Sequence, residues 1–248
     1  MTPTPESQHV ILITGGAKRL GLAMAQRLAA PGRTLALHYN TSRASAEQTA
    51  TSLRALGAEV VLLAADLGSP EAPAQLAREA AAACGRIDVL INNAAIYYPT
   101  PMPHASAEQF DQFMNVNARG PFLLAQEAGR IMLAQESGGC IINLLDTEYD
   151  RPKINYIPYT MSKAALTAAT LGMARALAPK VRVNGIAPGP VLLPEDYRSQ
   201  DEEKSVARTA LKRVGSADDI ALAAEFLIFR APYITGQILR VDGGRSIT

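Results

Sequence analysis

The sequence predicts an α/β fold, a single doubly wound domain whose parallel seven-stranded sheet carries helices on both faces. Short apolar, β-branched runs alternate with helical patterns along the chain, which argues for a parallel sheet covered on both sides. The first run leads directly into a glycine-rich turn and then a helix. No linker or low-complexity stretch divides the 248 residues, so one domain over 9–248 is expected behind a frayed tail at 1–8.

Val10–Thr14 is the first strand, and its unbroken apolar character suits burial on both faces. Gly15-Gly16-Ala17-Lys18-Arg19-Leu20-Gly21 follows, then a helical pattern of Leu22, Ala25, Leu28 and Ala29 ending near Pro31-Gly32. Thr34–His38 is the second strand and Glu59–Ala64 the third, followed by Asp66-Leu67. Ser69-Pro70-Glu71 predicts a helix start, with a cap residue, a proline in the first turn and an acid. Ile87–Ile91 is the fourth strand, followed by Asn92-Asn93-Ala94-Ala95. Ser106 with Gln109, and Ser216 with Asp219, have capping-box spacing. Cys140–Leu145, Val181–Ile186 and Ile238–Val241 are the fifth, sixth and seventh strands, and Met161–Leu177 is an alanine-rich helix. Ligands of such sheets bind outside the carboxyl ends of the strands, where the loops after strands one to five fall.

Tyr159 and Lys163 are four apart and share one face of that helix. An ammonium beside a phenol favours the phenolate, so the tyrosine pKa is expected below its usual value of about 10, in reach of proton transfer near neutral pH. The alternative is an ordinary surface pair. Tyr149 and Lys153 repeat the spacing, but Pro152 between them breaks a helix, so that segment reads as loop. Asp146 lies thirteen residues before Tyr159.

Strand, glycine turn and helix is how a dinucleotide pyrophosphate is held: backbone approaches the phosphates, and the helix N-terminus offers N–H groups and a positive dipole end. The alternative is a tight turn without a ligand. Arg19 replaces the middle glycine of the common fingerprint and stands beside Lys18, two cations suited to an anion. An NAD-binding fold usually carries an acid about 20 residues past the loop for the ribose 2′-hydroxyl. Here Asn40 occupies that place after His38 and Tyr39, and Ser42 and Arg43 add donors. An acid would repel a 2′-phosphate, so the expected cofactor is NADPH.

A net charge of +1 gives no electrostatic case for nucleic acid or an acidic membrane. Cys84 and Cys140 form no metal or redox motif and the three histidines are scattered, so no metal is expected. No apolar run is long enough to span a bilayer and residues 1–8 lack signal-peptide character, so a cytoplasmic location is expected.

Thr14-Gly15 with Gly21, Asn92-Asn93-Ala94, Asn117, Tyr159 with Lys163, and Pro188-Gly189 together resemble the short-chain dehydrogenase/reductase family, from Val10 to Val241-Asp242-Gly243-Gly244. The resemblance implies a Rossmann-type sheet, a homotetramer and a catalytic set of Asn117, Tyr159 and Lys163. In the family the lysine also binds the nicotinamide ribose, and the asparagine holds a water in a proton relay. The family's catalytic serine falls on Asp146. A serine can donate to a ketone oxygen, whereas an ionised carboxylate only accepts. Asp146 therefore suits a substrate presenting N–H groups, such as a nitrogen heterocycle; the other reading is an inactive, degenerate member.

Thr14–Gly21, His38–Ser42, Asn93–Pro101 and the Asp146/Tyr159 pair look like the pteridine reductases and the dihydromonapterin and alternative dihydrofolate reductases. That likeness assigns Arg19 to both cofactor phosphate and substrate, and Tyr97 to stacking on a pterin, the alternative being a half-buried core tyrosine. Ala95, Tyr97 and Thr41 depart from the subgroup's usual serine, phenylalanine and arginine. The cofactor set it implies is Gly15, Lys18, Arg19, Leu20, Gly21, His38, Tyr39, Asn40, Ser42, Asp66, Leu67, Asn93, Ala94, Ala95, Leu144, Tyr159, Lys163, Pro188, Gly189 and Val191. The substrate set is Arg19, Ala95, Tyr97, Asp146 and Tyr159. The segment 191–213, charged through Glu195, Asp196, Arg198, Asp201, Glu202, Glu203 and Lys204, is expected as a lid over substrate rather than a merely solvated helix. The expected activity is NADPH-dependent reduction of a dihydrobiopterin, dihydromonapterin or dihydrofolate. The alternatives are a ketone or 3-oxoacyl thioester reductase on the same fold and a non-catalytic NADPH-binding regulator.

Overall fold

The computed structural model describes residues 9–192 and 199–248, without the side chains of 199–202. The tail at 1–8 and Glu195, Asp196 and Arg198 of the expected lid lie outside the described residues.

Strands and helices alternate: β1 (His9–Thr14), α1 (Arg19–Leu28), β2 (Arg33–Tyr39), α2 (Arg43–Ala55), β3 (Glu59–Ala64), α3 (Ala72–Cys84) and β4 (Val89–Asn92). The second half continues with α4 (Ala107–Met114), α5 (Gly120–Ala134), β5 (Gly139–Leu144), α6 (Ile157–Ala176), β6 (Val181–Pro188), α7 (Ser199–Ala207), α8 (Ala217–Glu225) and β7 (Ile238–Val241). A π-helical turn, Asn115–Arg119, joins α4 to α5. The sheet order is β3-β2-β1-β4-β5-β6-β7, and every neighbouring pair is parallel. Strand order reverses between β1 and β4, the crevice where such sheets take ligands.

The strand alternation sorts β1 between two cores. Ile11 and Ile13 pack with Met24, Leu28, Ile220 and Leu227 on one face. Leu12 packs with Leu76, Leu124, Met132 and Met173 on the other. The sheet is thus buried on both sides, which is why its strands read as apolar runs.

Several boundaries shift by one to four residues, β6 running on to Pro188 and α6 starting at Ile157, and two of the shifts have a clear side-chain cause. β4 begins at Val89 rather than Ile87. The Asp88 carboxylate accepts the Val10 N–H at 2.9 Å and pairs with Arg86 at 2.6 Å, while Gln135 takes both the N–H and the carbonyl of Ile87. These side chains hold the approach together with backbone bonds from the Asp88 N–H to the Val10 carbonyl and from the Cys140 N–H to the Asp88 carbonyl, each 2.9 Å. α3 begins at Ala72, and Ser69 does not cap it. Asp66 instead closes a turn, accepting the Gly68 N–H on Oδ1 and the Ser69 N–H on its carbonyl, each at 3.0 Å. Such a side chain competes with helix formation for its neighbours' N–H groups. Both capping boxes are present, at Ser106/Gln109 and Ser216/Asp219, and Tyr149–Lys153 is loop.

Candidate active site

The glycine turn after β1 is fixed from three sides. Thr14 Oγ1 accepts the N–H groups of Asn93 and Ala94 at 2.9 and 3.0 Å. Asn93 Nδ2 donates to the carbonyls of Thr14 and Gly15 at 2.8 and 3.2 Å. His38 Nδ1 accepts the Gly15 N–H at 3.2 Å, and its Nε2 meets the Ala65 carbonyl at 3.0 Å. Burial pushes the His38 pKa down, so the neutral ring donates from Nε2. The turn is also tight: Gly15 has φ +61°, and a Cβ on Gly21 would overlap the Gly15 carbonyl. Between the Gly15 carbonyl and the Asn93 amide there is room for glycine alone at Gly21. Beside it lie the N-terminus of α1, Lys18 and Arg19, an arrangement of N–H groups and cations that fits a pyrophosphate.

A cavity of about 480 Å³ runs along the carboxyl ends of the strands. Its wall brings together Gly15, Lys18, Arg19, Leu20, His38, Asn40, Asn93, Ala94, Ala95, Tyr97, Leu144, Asp146, Tyr159, Lys163, Pro188, Gly189 and Val191. The loop after β3 does not reach it, whereas the loop after β6 and the C-terminal turn do. Gly21, Tyr39, Ser42, Asp66, Leu67 and Asn117, expected with these residues, are not on the wall. Gly21 sits behind Gly15, and Ser42 precedes α2 without a side-chain cap bond. Arg43 is paired with Glu47 at 2.9 Å on the exposed side of α2. Asn117 is buried in the π turn, where Oδ1 accepts the Ile96 N–H at 2.9 Å and Nδ2 donates to the Ile96 carbonyl at 3.0 Å. Its side chain braces the loop that carries Tyr97.

The centre of the site is Tyr159, whose phenol donates to Asp146 Oδ2 at 2.8 Å. Pro158 in the first turn of α6 suits a helix start and sets Tyr159 and Lys163 one turn apart. Lys163 Nζ donates to the Leu144 carbonyl at 2.8 Å. The expected lowering of the Tyr159 pKa is not what this geometry produces. Burial and then the Asp146 carboxylate push the phenol well above its ordinary value. Burial likewise raises Asp146, against its hydrogen bonds from the Glu148 N–H and Tyr159. Burial lowers Lys163 to about 8, with Asp146 opposing. Tyr159 is therefore a phenol that keeps its proton at neutral pH, a donor rather than a ready base. Tyr97 stands edge-on to it at 4.8 Å and stacks on Tyr156 at 4.7 Å.

Glu148, Lys153 and Arg245 also line the cavity without being expected there, and Ser205 of the expected lid segment joins them. Lys153 drew notice only for the spacing it shares with Tyr149. Glu148, two residues from Asp146, was the one signal available.

A family model described as enoyl-(acyl carrier protein) reductase matches residues 15–246. The chain is 34% identical to pteridine reductase 1 of Leishmania tarentolae, covering 100% of this chain and 99% of that protein. It is 33% identical to a short-chain dehydrogenase/reductase from Serratia marcescens, with a TM-score of 0.90 over 98% of this chain and 100% of the other. It is 30% identical to the FolM alternative dihydrofolate reductase 1 of Brucella canis, solved with NADP, with a TM-score of 0.88 over 99% of this chain and 97% of that one.

Proposed function

The chain belongs to the short-chain dehydrogenase/reductase family, and from that premise we propose that this NAD(P)-dependent oxidoreductase reduces a pteridine of the dihydropterin or dihydrofolate type with NADPH. The observation that carries the reading is the buried Tyr159–Asp146 hydrogen bond of 2.8 Å beside the Tyr97 ring. The likeness to pteridine reductase 1 and to the alternative dihydrofolate reductase supports it.

NADPH, when bound, supplies the hydride. Backbone at Gly15, the α1 N-terminus, Lys18 and Arg19 are suited to hold its pyrophosphate. Asn40 on the cavity wall admits a 2′-phosphate that an acid would repel. Tyr159 keeps its proton until the substrate takes it, which matches the direction of reduction. Asp146 accepts N–H groups of a heterocycle, which a ketone lacks. The stacked Tyr97 and Tyr156 give the substrate end an aromatic wall, and aromatic pairs gain roughly 0.5–1.5 kcal/mol beyond buried area. Lys163, one turn from Tyr159, sets the charge around the pair. Asn117 acts through the Ile96 backbone, fixing the loop that bears Tyr97. Val191, Leu192 and Ser205 bring the ends of the expected lid onto the cavity wall, where closure would exclude water. Exposed Phe110, Phe122, Met161 and Leu171 on α4, α5 and α6 give a homotetramer apolar surface to bury.

A second reading, reduction of a ketone or acyl thioester, draws support from a likeness to the granaticin polyketide synthase putative ketoacyl reductase 2 of Streptomyces violaceoruber, 32% identical over 99% of each chain. The test is NADPH consumption with dihydrobiopterin, dihydromonapterin, dihydrofolate and an acetoacetyl thioester. Turnover of a pterin with the thioester inert is expected. Thioester turnover with every pterin inert would replace this reading, and the absence of all turnover would leave a cofactor-binding regulator.

A further inference from the structure

The cavity has a second charged centre. Glu148, Lys153 and Arg245 all line it. Glu148 Oε1 accepts from Arg245 Nη2 at 2.9 Å and Nε at 3.3 Å. Glu148 Oε2 meets Lys153 Nζ at 2.8 Å. One carboxylate is shared by two cations, so the group carries one surplus positive charge. Burial would raise the Glu148 pKa, but Lys153 and Arg245 outweigh it and hold the carboxyl below its ordinary range.

Arg245 is the unusual member. Its side chain is only 10% exposed, and its Nη1 is buried with no hydrogen-bond partner among the described residues. A buried donor without an acceptor is costly and calls for explanation. The neighbouring carboxylates are already engaged. Asp146 takes Tyr159 and the Glu148 N–H. Asp150 takes Arg240, and Asp242 takes the N–H groups of Gly244 and Ser246. The centre also adjoins the reacting end, because the Glu148 N–H itself donates to Asp146 Oδ1 at 2.8 Å. It comes from the loop after β5 and the C-terminal turn, away from the glycine turn on which a pyrophosphate would rest.

We propose that Arg245 and Lys153, braced on Glu148, form an anion-recognition subsite that takes a carboxylate or phosphate borne by the substrate outside its reacting ring. The assignment rests on the pteridine reading. A guanidinium offers five N–H donors in a planar fork, so Arg245 can hold Glu148 by one edge and present another to an oxyanion.

The test is steady-state kinetics with NADPH on wild type, Arg245→Met and Arg245→Lys. The substrates are dihydrobiopterin, whose side chain is neutral, dihydrofolate, which carries carboxylates, and a dihydropterin bearing a side-chain phosphate. The readout is each anionic substrate's kcat/KM divided by that for dihydrobiopterin. Arg245→Met is expected to lower this ratio roughly tenfold or more, mainly through KM, as for lost hydrogen bonds to a charged group. Arg245→Lys should recover part of it. Whichever anionic substrate shows the larger loss identifies the anion. Lys153→Met reaches the same subsite without cutting the C-terminal contact, and should lower the ratio should Arg245→Met not fold. An unchanged ratio in variants of an active enzyme overturns the subsite alone. A raised KM for NADPH with an unchanged ratio would hand Arg245 to the cofactor instead. A wild type inert toward every pterin overturns the pteridine reading, and the subsite with it.

Discussion

The Tyr159 phenol donates to Asp146 across 2.8 Å, and the other oxygen of that carboxylate is held by the Glu148 N–H at the same distance. Donor and acceptor are therefore both oriented by backbone that the fold fixes, Tyr159 by α6 and Asp146 by the turn after β5. Burial raises both groups, and the phenol keeps its proton at neutral pH with the carboxylate as its acceptor. The proton is therefore already on Tyr159 when a substrate arrives.

Tyr159→Phe removes the donor and leaves the ring in place. Turnover of the preferred pterin should fall roughly 10²–10⁴-fold, the usual worth of general acid–base assistance. NADPH affinity, followed by nicotinamide fluorescence, should change little by comparison. Full turnover in the variant would remove Tyr159 from the reaction.

Asp146→Ser exchanges an obligate acceptor for a group that can also donate. Pterin kcat/KM should drop roughly tenfold or more, and reduction of an acetoacetyl thioester should rise above the wild-type level. Unaltered pterin kinetics would make the carboxylate incidental to substrate choice.

Lys163 gives the reaction an alkaline limb. Burial lowers its pKa to about 8, so the ammonium is present below that pH and is lost as pH rises through it. Plotted against pH, kcat/KM for NADPH should fall above about 8. Stability should move the other way: between about 8 and the free amine value near 10.5 the unfolded chain binds more protons, and the folded state gains. A melting temperature that fell in step with activity across this range would contradict the assignment.

Asn40→Asp places an anion where a 2′-phosphate is expected. The KM for NADPH should rise roughly tenfold or more relative to that for NADH. Wild-type enzyme with equal KM values for the two cofactors would contradict the reading of this loop.

The strands were legible because the central ones are buried on both faces and the edge strands β3 and β7 are apolar though partly exposed, so each appears as an apolar run, and both capping boxes follow from side chains three residues apart. What escaped depends on contacts distant in sequence. The start of β4 is set by Gln135, 48 residues from Ile87. Arg245 meets Glu148 across 97 residues, a distance no local pattern spans. The π turn that turns Asn117 toward Ile96 leaves no composition signal. The direction of the Tyr159 shift was missed for a different reason. Spacing shows that Lys163 is one turn away, but not that its ammonium is held by the Leu144 carbonyl while Asp146 takes the phenol.

The strand order has a consequence for how this enzyme changes over time. Residues facing the phosphate loop come from the ends of β1, β2 and β4, in the first hundred residues of the chain. Asp146, Glu148, Lys153, Tyr159, Lys163 and Arg245 all come from beyond β5. The phosphate loop and the proton-handling pair are thus inherited on separate stretches of one polypeptide, which meet along the β4–β5 ladder, at the Asn92–Asn143 bond and where Tyr97 stands against Tyr159. A chimaera of two relatives joined near α4 would take its phosphate loop from one parent and its proton donor from the other, and its two halves would have to agree where the Tyr97 and Tyr159 rings meet across the join.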